Sequence, residues 1–247
     1  MRPRSGSGGR RAAEMDDSPR TQLKIPASLD EARAIQEAVA RAVEAAPPVS
    51  LDRVRSIAGA DASYSPDGRT VHAAVAVLGL PDLNVMERCW VSREVPFPYV
   101  PGFFAFREGP AIISAIGALT RQPDLLLVDG HGRAHPRRAG IATHVGFLLK
   151  IPTVGVAKQI LAGDTGEFGP ARGSTSLIWD RGEVVGMAVR TKAGSRPVYV
   201  SAGHAIDLET AVAAVLATTS ASRIPAPVRE AHRISREVRR IHITFSI

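Results

Sequence analysis

The chain has 247 residues, a net charge of +7 and a pI near 10.3, with 45% hydrophobic residues and a mean hydropathy of +0.01. This describes a globular protein of one large domain or two small ones, and the basic balance suits a polyanionic partner. No run approaches the roughly 20 apolar residues that span a bilayer. The Arg-, Gly- and Ser-rich start lacks the apolar stretch of a secretory signal. Cys89 is the single cysteine. It excludes an intramolecular disulfide framework and a Cys-based zinc site, and it fits a reducing cytoplasm.

Residues 1–20 show no periodicity and read as a disordered basic tail, with one domain expected over 21–247. Ser28-Leu29-Asp30-Glu31 is a capping-box pattern. It predicts a helix with Ala32, Ile35, Val39 and Val43 along one stripe, ending before Pro47-Pro48. Three strands follow, at Ile57–Ser63, Val71–Leu80 and Val85–Val95, the first two joined by a Pro66-Asp67-Gly68 turn. They form an antiparallel meander. After an aromatic loop, Pro110 is placed in the first turn of a helix over Ala111–Arg121. Leu125–Val128 is a short continuous apolar run, as in a buried parallel strand, and it stops at Asp129-Gly130.

A helix near 140–149 and a strand at Thr153–Ala157 come next. A hairpin is expected around Asp180-Arg181-Gly182, then a strand near Val198–Ser201 and a helix after Asp207. A last helix over 226–241 is basic. Residues 223–247 hold six arginines against Glu230 and Glu237. A solvated helix face accounts for those arginines as well as a polyanion does. No internal repeat is present. The order implies an α/β fold: a mixed sheet, three antiparallel strands and then parallel strands, flanked by helices.

The run Pro98-Tyr99-Val100-Pro101-Gly102-Phe103-Phe104-Ala105-Phe106-Arg107-Glu108 holds four of the twelve aromatics in the chain. Pro98 and Pro101 fix their own φ and push their neighbours toward extended backbone, which makes a stiff turn with Tyr99 between them. Such a turn can prise bases apart, and it can equally well pack on a core.

Three acids sit in comparable places. Asp61 lies in the first strand of the meander, Glu108 closes the aromatic loop, and Asp129 ends the strand at 125–128. If the strands carrying Asp61 and Asp129 are parallel neighbours, the two carboxylates face each other across one strand spacing. Neither has a Lys or Arg close by in sequence, and an unpaired carboxylate in an apolar strand is costly. Backbone partners account for any one acid alone. Three together point to a divalent cation, and oxygen ligands select hard Mg²⁺ or Mn²⁺. Gly130 and Gly132 permit close backbone approach to a ligand, and His135 can donate to a phosphate. Lys158 ends another apolar strand, where a phosphate would account for its charge, and His232 sits where it can face the acids.

With Ala58-Gly59-Ala60-Asp61-Ala62-Ser63-Tyr64, Pro98–Gly102 through Phe106-Arg107-Glu108, Val128–Pro136, Gly155–Lys158, Pro197–His204 and Ala231-His232 in this order, the chain resembles endonuclease V. That family comprises deoxyinosine-specific DNA repair nucleases of ribonuclease H-like fold. The resemblance covers about residues 50–240. It implies that Asp61, Glu108 and Asp129 bind the metal, that His232 belongs to the same site, and that Lys158 and His135 lie near the phosphates. It implies that Tyr99, carried by Pro98, Pro101 and Gly102, fills the gap left by a flipped-out base, and that Phe104, Gly130 and Gly132 line the pocket receiving that base.

The reaction so implied is Mg²⁺-dependent hydrolysis, with Mn²⁺ as a substitute. The second phosphodiester 3′ to deoxyinosine is cut, leaving a 3′-hydroxyl and a 5′-phosphate. The expected protein is a cytoplasmic monomer with no membrane partner. Two other readings are inosine-containing RNA as substrate and a non-catalytic nucleic-acid-binding module on the same scaffold, the latter opposed by the presence of all three acids.

Overall fold

The structure, a computed structural model, describes residues 10–12, 23–43 and 49–245. Its strands are β1 (Arg10–Ala12), β2 (Ser56–Tyr64), β3 (Thr70–Gly79), β4 (Asn84–Glu94), β5 (Leu125–Val128), β6 (Thr153–Ala157), β7 (Asp164–Thr165), β8 (Thr175–Asp180), β9 (Glu183–Val189) and β10 (Val198–His204). The helices are α1 (Leu29–Val43), α2 (Phe104–Gly117), α3 (Ile141–Leu149), α4 (Leu208–Ala217) and α5 (Ala226–Phe245). One sheet runs in the order β1-β4-β3-β2-β5-β6-β10-β9-β8-β7.

The meander β2-β3-β4 is antiparallel, and β5 and β6 extend it in parallel from β2, as the sequence predicts. Beyond β6 the sheet turns antiparallel again through β10, β9, β8 and β7. The two-residue β7 lies inside the segment between β6 and β8. Most of the expected tail 1–20 lies outside the described residues, but Arg10–Ala12 adds a short parallel strand beside β4. No helix among the described residues is long and apolar enough to cross a membrane.

Alternation along the central strands sorts the core into two layers. Ala58 and Ala60 of β2 and Leu126 and Val128 of β5 pack with Phe106, Ile112 and Ile116 of α2 and Val145 of α3. Ile57, Leu125 and Leu127 point the other way, onto Val212 and Val215 of α4 and Val228, Ile234 and Val238 of α5. Asp61 has the parity of Ile57, so its carboxylate is presented to the α5 side. The α5 backbone comes closest at Gly59, where a Cβ would lie 2.1 Å from the Pro227 carbonyl carbon. Only glycine permits that approach.

Two expectations change. Ser28 caps the helix, its Oγ accepting from the Glu31 amide at 3.1 Å, while the Glu31 carboxylate reaches one residue past the cap to the Ala27 amide at 2.7 Å. The buried stripe of α1 nevertheless includes Gln36 with Ala32, Val39 and Val43, and Ile35 packs partly buried beside it. The helix stops at Val43, and Pro47-Pro48 lie outside the described residues. The second change is α2, which begins at Phe104, so Pro110 is inside the helix and Glu108 is helical rather than in the loop before it. Pro110 forfeits one amide bond, and the fully buried Phe106, Ile112 and Ile116 on the same helix offset that loss.

Candidate active site

Parallel pairing sets Ala60 opposite Val128, and the Asp129 amide donates to the Ala60 carbonyl at 2.9 Å. Asp61 and Asp129 therefore stand side by side, one residue beyond a paired position on each strand. The helix pinned at Gly59 delivers two donors to the same Asp61 oxygen. His232 Nδ1 lies 3.1 Å and Ser235 Oγ 2.7 Å from Oδ2. Ser63 Oγ donates to the Ser235 carbonyl at 2.8 Å and locks the register of helix on strand. Both α5 partners of Asp61 thus meet the same carboxylate oxygen, Oδ2.

Among the described residues, ligand atoms of Asp61, Asp129 and His232 all lie within 4.8 Å of one another. Glu108 is not in that group, although it lines the same cavity. Its Oε1 accepts from the Tyr64 hydroxyl at 2.8 Å, and the Arg107 guanidinium lies 4.7 Å over the Tyr64 ring. Two of the three predicted acids thus converge with His232, and the third approaches from α2. Lys158, at the end of β6 and expected beside a phosphate, bonds Asp129 Oδ2. That partner is 29 residues away in sequence and comes close only through the parallel sheet.

The electrostatics follow from crowding and burial of the acids. Burial pushes Glu108 up to about 7, with the charges of Asp61 and Asp129 adding to it against the Tyr64 hydrogen bond. Burial and the neighbouring Asp61 push Asp129 up to about 6, against the pull of Lys158. Burial opposes ionisation of Asp61 too, but hydrogen bonds from His232, Asp129 and Ser235 outweigh it and hold its carboxyl below the usual range. The bond to Asp61 raises His232 above the ordinary imidazole value. Two mutually repelling carboxylates beside one imidazole form a donor set suited to a divalent cation.

A cavity of about 410 Å³ extends from Asp61 and Asp129 to Gly102 and Phe104. Gly130 lines it with φ +153°, and a Cβ there would lie 2.6 Å from Ile141 Cγ2. Gly132, expected on the same wall, is not among the lining residues. It abuts β10, where a Cβ would lie 2.2 Å from the Ala202 carbonyl oxygen, and its amide donates to Ser201 Oγ at 2.9 Å.

At the far end, Pro98, Tyr99 and Pro101 are exposed, Tyr99 by 66%. The Tyr99 ring meets Phe104 edge-on at 5.5 Å. Phe104 borders the cavity, whereas Phe103 is buried against Phe97 and Phe106. His135 is 2% exposed, and burial drives it down to about 3, so the ring is neutral. Its Nδ1 accepts from the Arg137 amide at 3.2 Å, which leaves the proton on Nε2, 2.9 Å from the Gly102 carbonyl. With both nitrogens engaged the ring has no N–H left for a phosphate, and it supports the turn instead.

Three site residues escape the sequence reading: Gln36, Tyr64 and Ser235. Gln36 had a signal, because Ala32, Gln36, Val39 and Val43 follow helical spacing with one polar member. Ser235 had a weaker one, three residues beyond His232 on the same helix face.

Residues 37–233 match the family model described as Endonuclease V. The chain belongs to the endonuclease V family. Endonuclease V of Gloeobacter violaceus is 50% identical over 198 residues, covering 78% of this chain and 80% of that protein. The crystal structure of endonuclease V from Streptomyces avermitilis shares 38% identity and superposes with a TM-score of 0.84, over 90% of this chain and 99% of that one. Endonuclease V of Ciona intestinalis, solved in complex with a 24mer DNA containing an inosine followed by a ribo-adenosine, is 26% identical with a TM-score of 0.73, over 86% of this chain and 98% of that one. The mixed sheet is thus the ribonuclease H-like sheet of endonuclease V, and the chain is a nuclease of that metal-dependent family.

Proposed function

We propose that this chain cuts DNA at deoxyinosine, hydrolysing the second phosphodiester 3′ to the lesion and leaving a 3′-hydroxyl and a 5′-phosphate. The observation that carries the reading is the convergence of Asp61, Asp129 and His232, the two aspartates lining a cavity that is also lined by Phe104, the ring against which Tyr99 packs. The cavity volume falls within the roughly 300–1,000 Å³ typical of ligand pockets. The inosine-containing DNA bound by the Ciona relative supports the substrate class.

Asp61, Asp129 and His232 are the residues to hold Mg²⁺, or Mn²⁺ in its place. Such an ion polarises a phosphate and acidifies a water. Ser235 and His232 fix the Asp61 carboxylate from the α5 side. Glu108, whose carboxyl exchanges its proton near neutrality, orients the attacking water and takes its proton at the oxygen not bonded to Tyr64. Lys158 places a positive charge beside the scissile phosphate. Tyr99 occupies the gap left by the displaced base, while Phe104 and Gly130 enclose that base. A mispaired hypoxanthine leaves the stack at lower cost than a paired base, which favours the lesion.

The test is a nicking assay on a duplex with a single deoxyinosine, run with Mg²⁺ and with EDTA, beside an undamaged duplex and an inosine-containing RNA. One metal-dependent nick at the second 3′ linkage of the deoxyinosine strand is expected. Equal nicking of undamaged DNA, or cleavage that survives EDTA, overturns the reading.

A further inference from the structure

We infer that Gln36, on a helix that contributes no acid to the site, is a positioning residue for lesion recognition, because it fixes the carbonyl from which the Tyr99 turn hangs. The inference rests on the proposed reading of that turn as the lesion wedge. The Gly102 carbonyl oxygen accepts three hydrogen bonds, from Gln36 Nε2 at 2.9 Å, His135 Nε2 at 2.9 Å and Arg137 Nη2 at 3.0 Å. A carbonyl has two lone pairs, so three converging donors saturate it. Gln36 has no exposed surface, and the rest of its amide is also used. Nε2 reaches the Ala139 carbonyl at 3.3 Å, and Oε1 accepts from Arg137 Nε.

A leucine or methionine would serve the packing of α1 at this position without the desolvation of an amide. What the amide adds is geometry, since a fully satisfied buried network specifies one arrangement. Gly102 sits at φ +80°, and the next residue, Phe103, is held under the Arg137 guanidinium at 4.3 Å. Residues 102 and 103 are therefore fixed from below. Stiff backbone between Pro98 and Pro101 transmits that fixed point to Tyr99. Gln36 also borders the cavity, so one side chain ties the position of the wedge to the pocket beside it.

Gln36→Met keeps the length and apolar fit of the side chain and removes both halves of the network. Three quantities decide: hydrogen exchange at the Phe103 amide, which donates to Val100 at 3.1 Å; kcat and KM on a deoxyinosine duplex; and affinity for an undamaged duplex. The expected result is about tenfold faster exchange and about tenfold higher KM, the scale of one lost hydrogen bond, with kcat within twofold and undamaged-duplex binding unchanged. Should Gln36→Met not fold, Arg137→Met, at a partly exposed position, carries the same readouts. Unchanged exchange and KM, or a parallel fall in kcat, overturns the inference. If the wild type does not favour deoxyinosine, the functional reading fails and the recognition role falls with it. The exchange measurement then shows separately whether Gln36 holds the turn.

Discussion

Asp61 and Asp129 stand on adjacent parallel strands and inherit their spacing from the backbone ladder. Tyr99 stands outside the sheet, on a turn whose buried end is secured at a single carbonyl oxygen. The acids are positioned by many bonds that recur in any sheet, and the Tyr99 turn by a few side-chain bonds particular to this site. Perturbing the first region is expected to stop cleavage and leave binding intact, and perturbing the second to do the reverse.

The largest effect is expected for Asp61→Ala or Asp129→Ala. Single-turnover cleavage falls by more than about 10³-fold, the scale of losing an essential member of a catalytic unit. Gel-shift affinity for a deoxyinosine duplex stays within a few-fold of wild type. Cleavage at an undiminished rate would dissolve the distinction between the two regions. Gly59→Val comes next: with Pro227 backbone 2.1 Å from the position of a Cβ, α5 must shift and carry His232 and Ser235 from Asp61. Chemical denaturation is expected to show a loss of about 1–3 kcal/mol or more, the cost of overpacking, together with weaker metal binding by calorimetry.

Tyr99→Ala tests the other region. Stacking of an aromatic on a base is worth about 1–3 kcal/mol, so lesion-duplex affinity falls about 10- to 100-fold while undamaged-duplex affinity holds. Because Tyr99 is mostly exposed, stability stays within about 0.5 kcal/mol. Equal losses on both duplexes would make Tyr99 a general contact instead of a lesion sensor.

The smallest effect is a pH dependence of the metal-free protein. Glu108 keeps its proton up to about 7 in the folded state against an ordinary 4.5, and Asp129 up to about 6 against 3.8. The folded chain binds more protons than the unfolded one in this window. The stability from both groups is therefore complete below pH 4 and lost as pH rises through 6 and 7. Melting temperature is expected to decline between about pH 5 and 8, less steeply in Glu108→Gln, and to recover most with Mg²⁺ at the alkaline end. Identical slopes in wild type and Glu108→Gln would remove Glu108 from the shared electrostatics of the cluster.

The same contrast governs what could be read in the sequence. Asp61 and Asp129 were legible because each interrupts or ends an apolar strand, and strand periodicity is local. Their pairing followed once the strands were taken as parallel neighbours. Glu108 was found as a residue and misplaced as an element, because a proline usually marks the first helical turn and here burial of Phe106 extends the helix back past it. Lys158 was found but its partner was not, since the Asp129 contact exists only across the parallel sheet. Gly132 was assigned to the ligand on residue type, while its neighbours on β10 claim it, and His135 lines the cavity but spends both ring nitrogens on its neighbours. Gln36 was hidden for a different reason. Polar residues on a helix are ordinarily solvent-facing, and the acceptors that offset its burial come from distant chain, the Gly102 carbonyl 66 residues onward and the Ala139 carbonyl 103 onward.

The close seating of α5 on β2 has a consequence for how the enzyme is made. Asp61 lies 171 residues from His232 and 174 from Ser235. On the ribosome, both aspartates are synthesised long before their imidazole and hydroxyl partners exist. A nascent chain stalled before α5 can pair β2 with β5 but lacks His232, the third ligand on the proposed reading, and the clamp on Asp61. On the proposed reading, cleavage therefore waits on the synthesis of α5, and a chain made only as far as β5 does not carry the complete cluster.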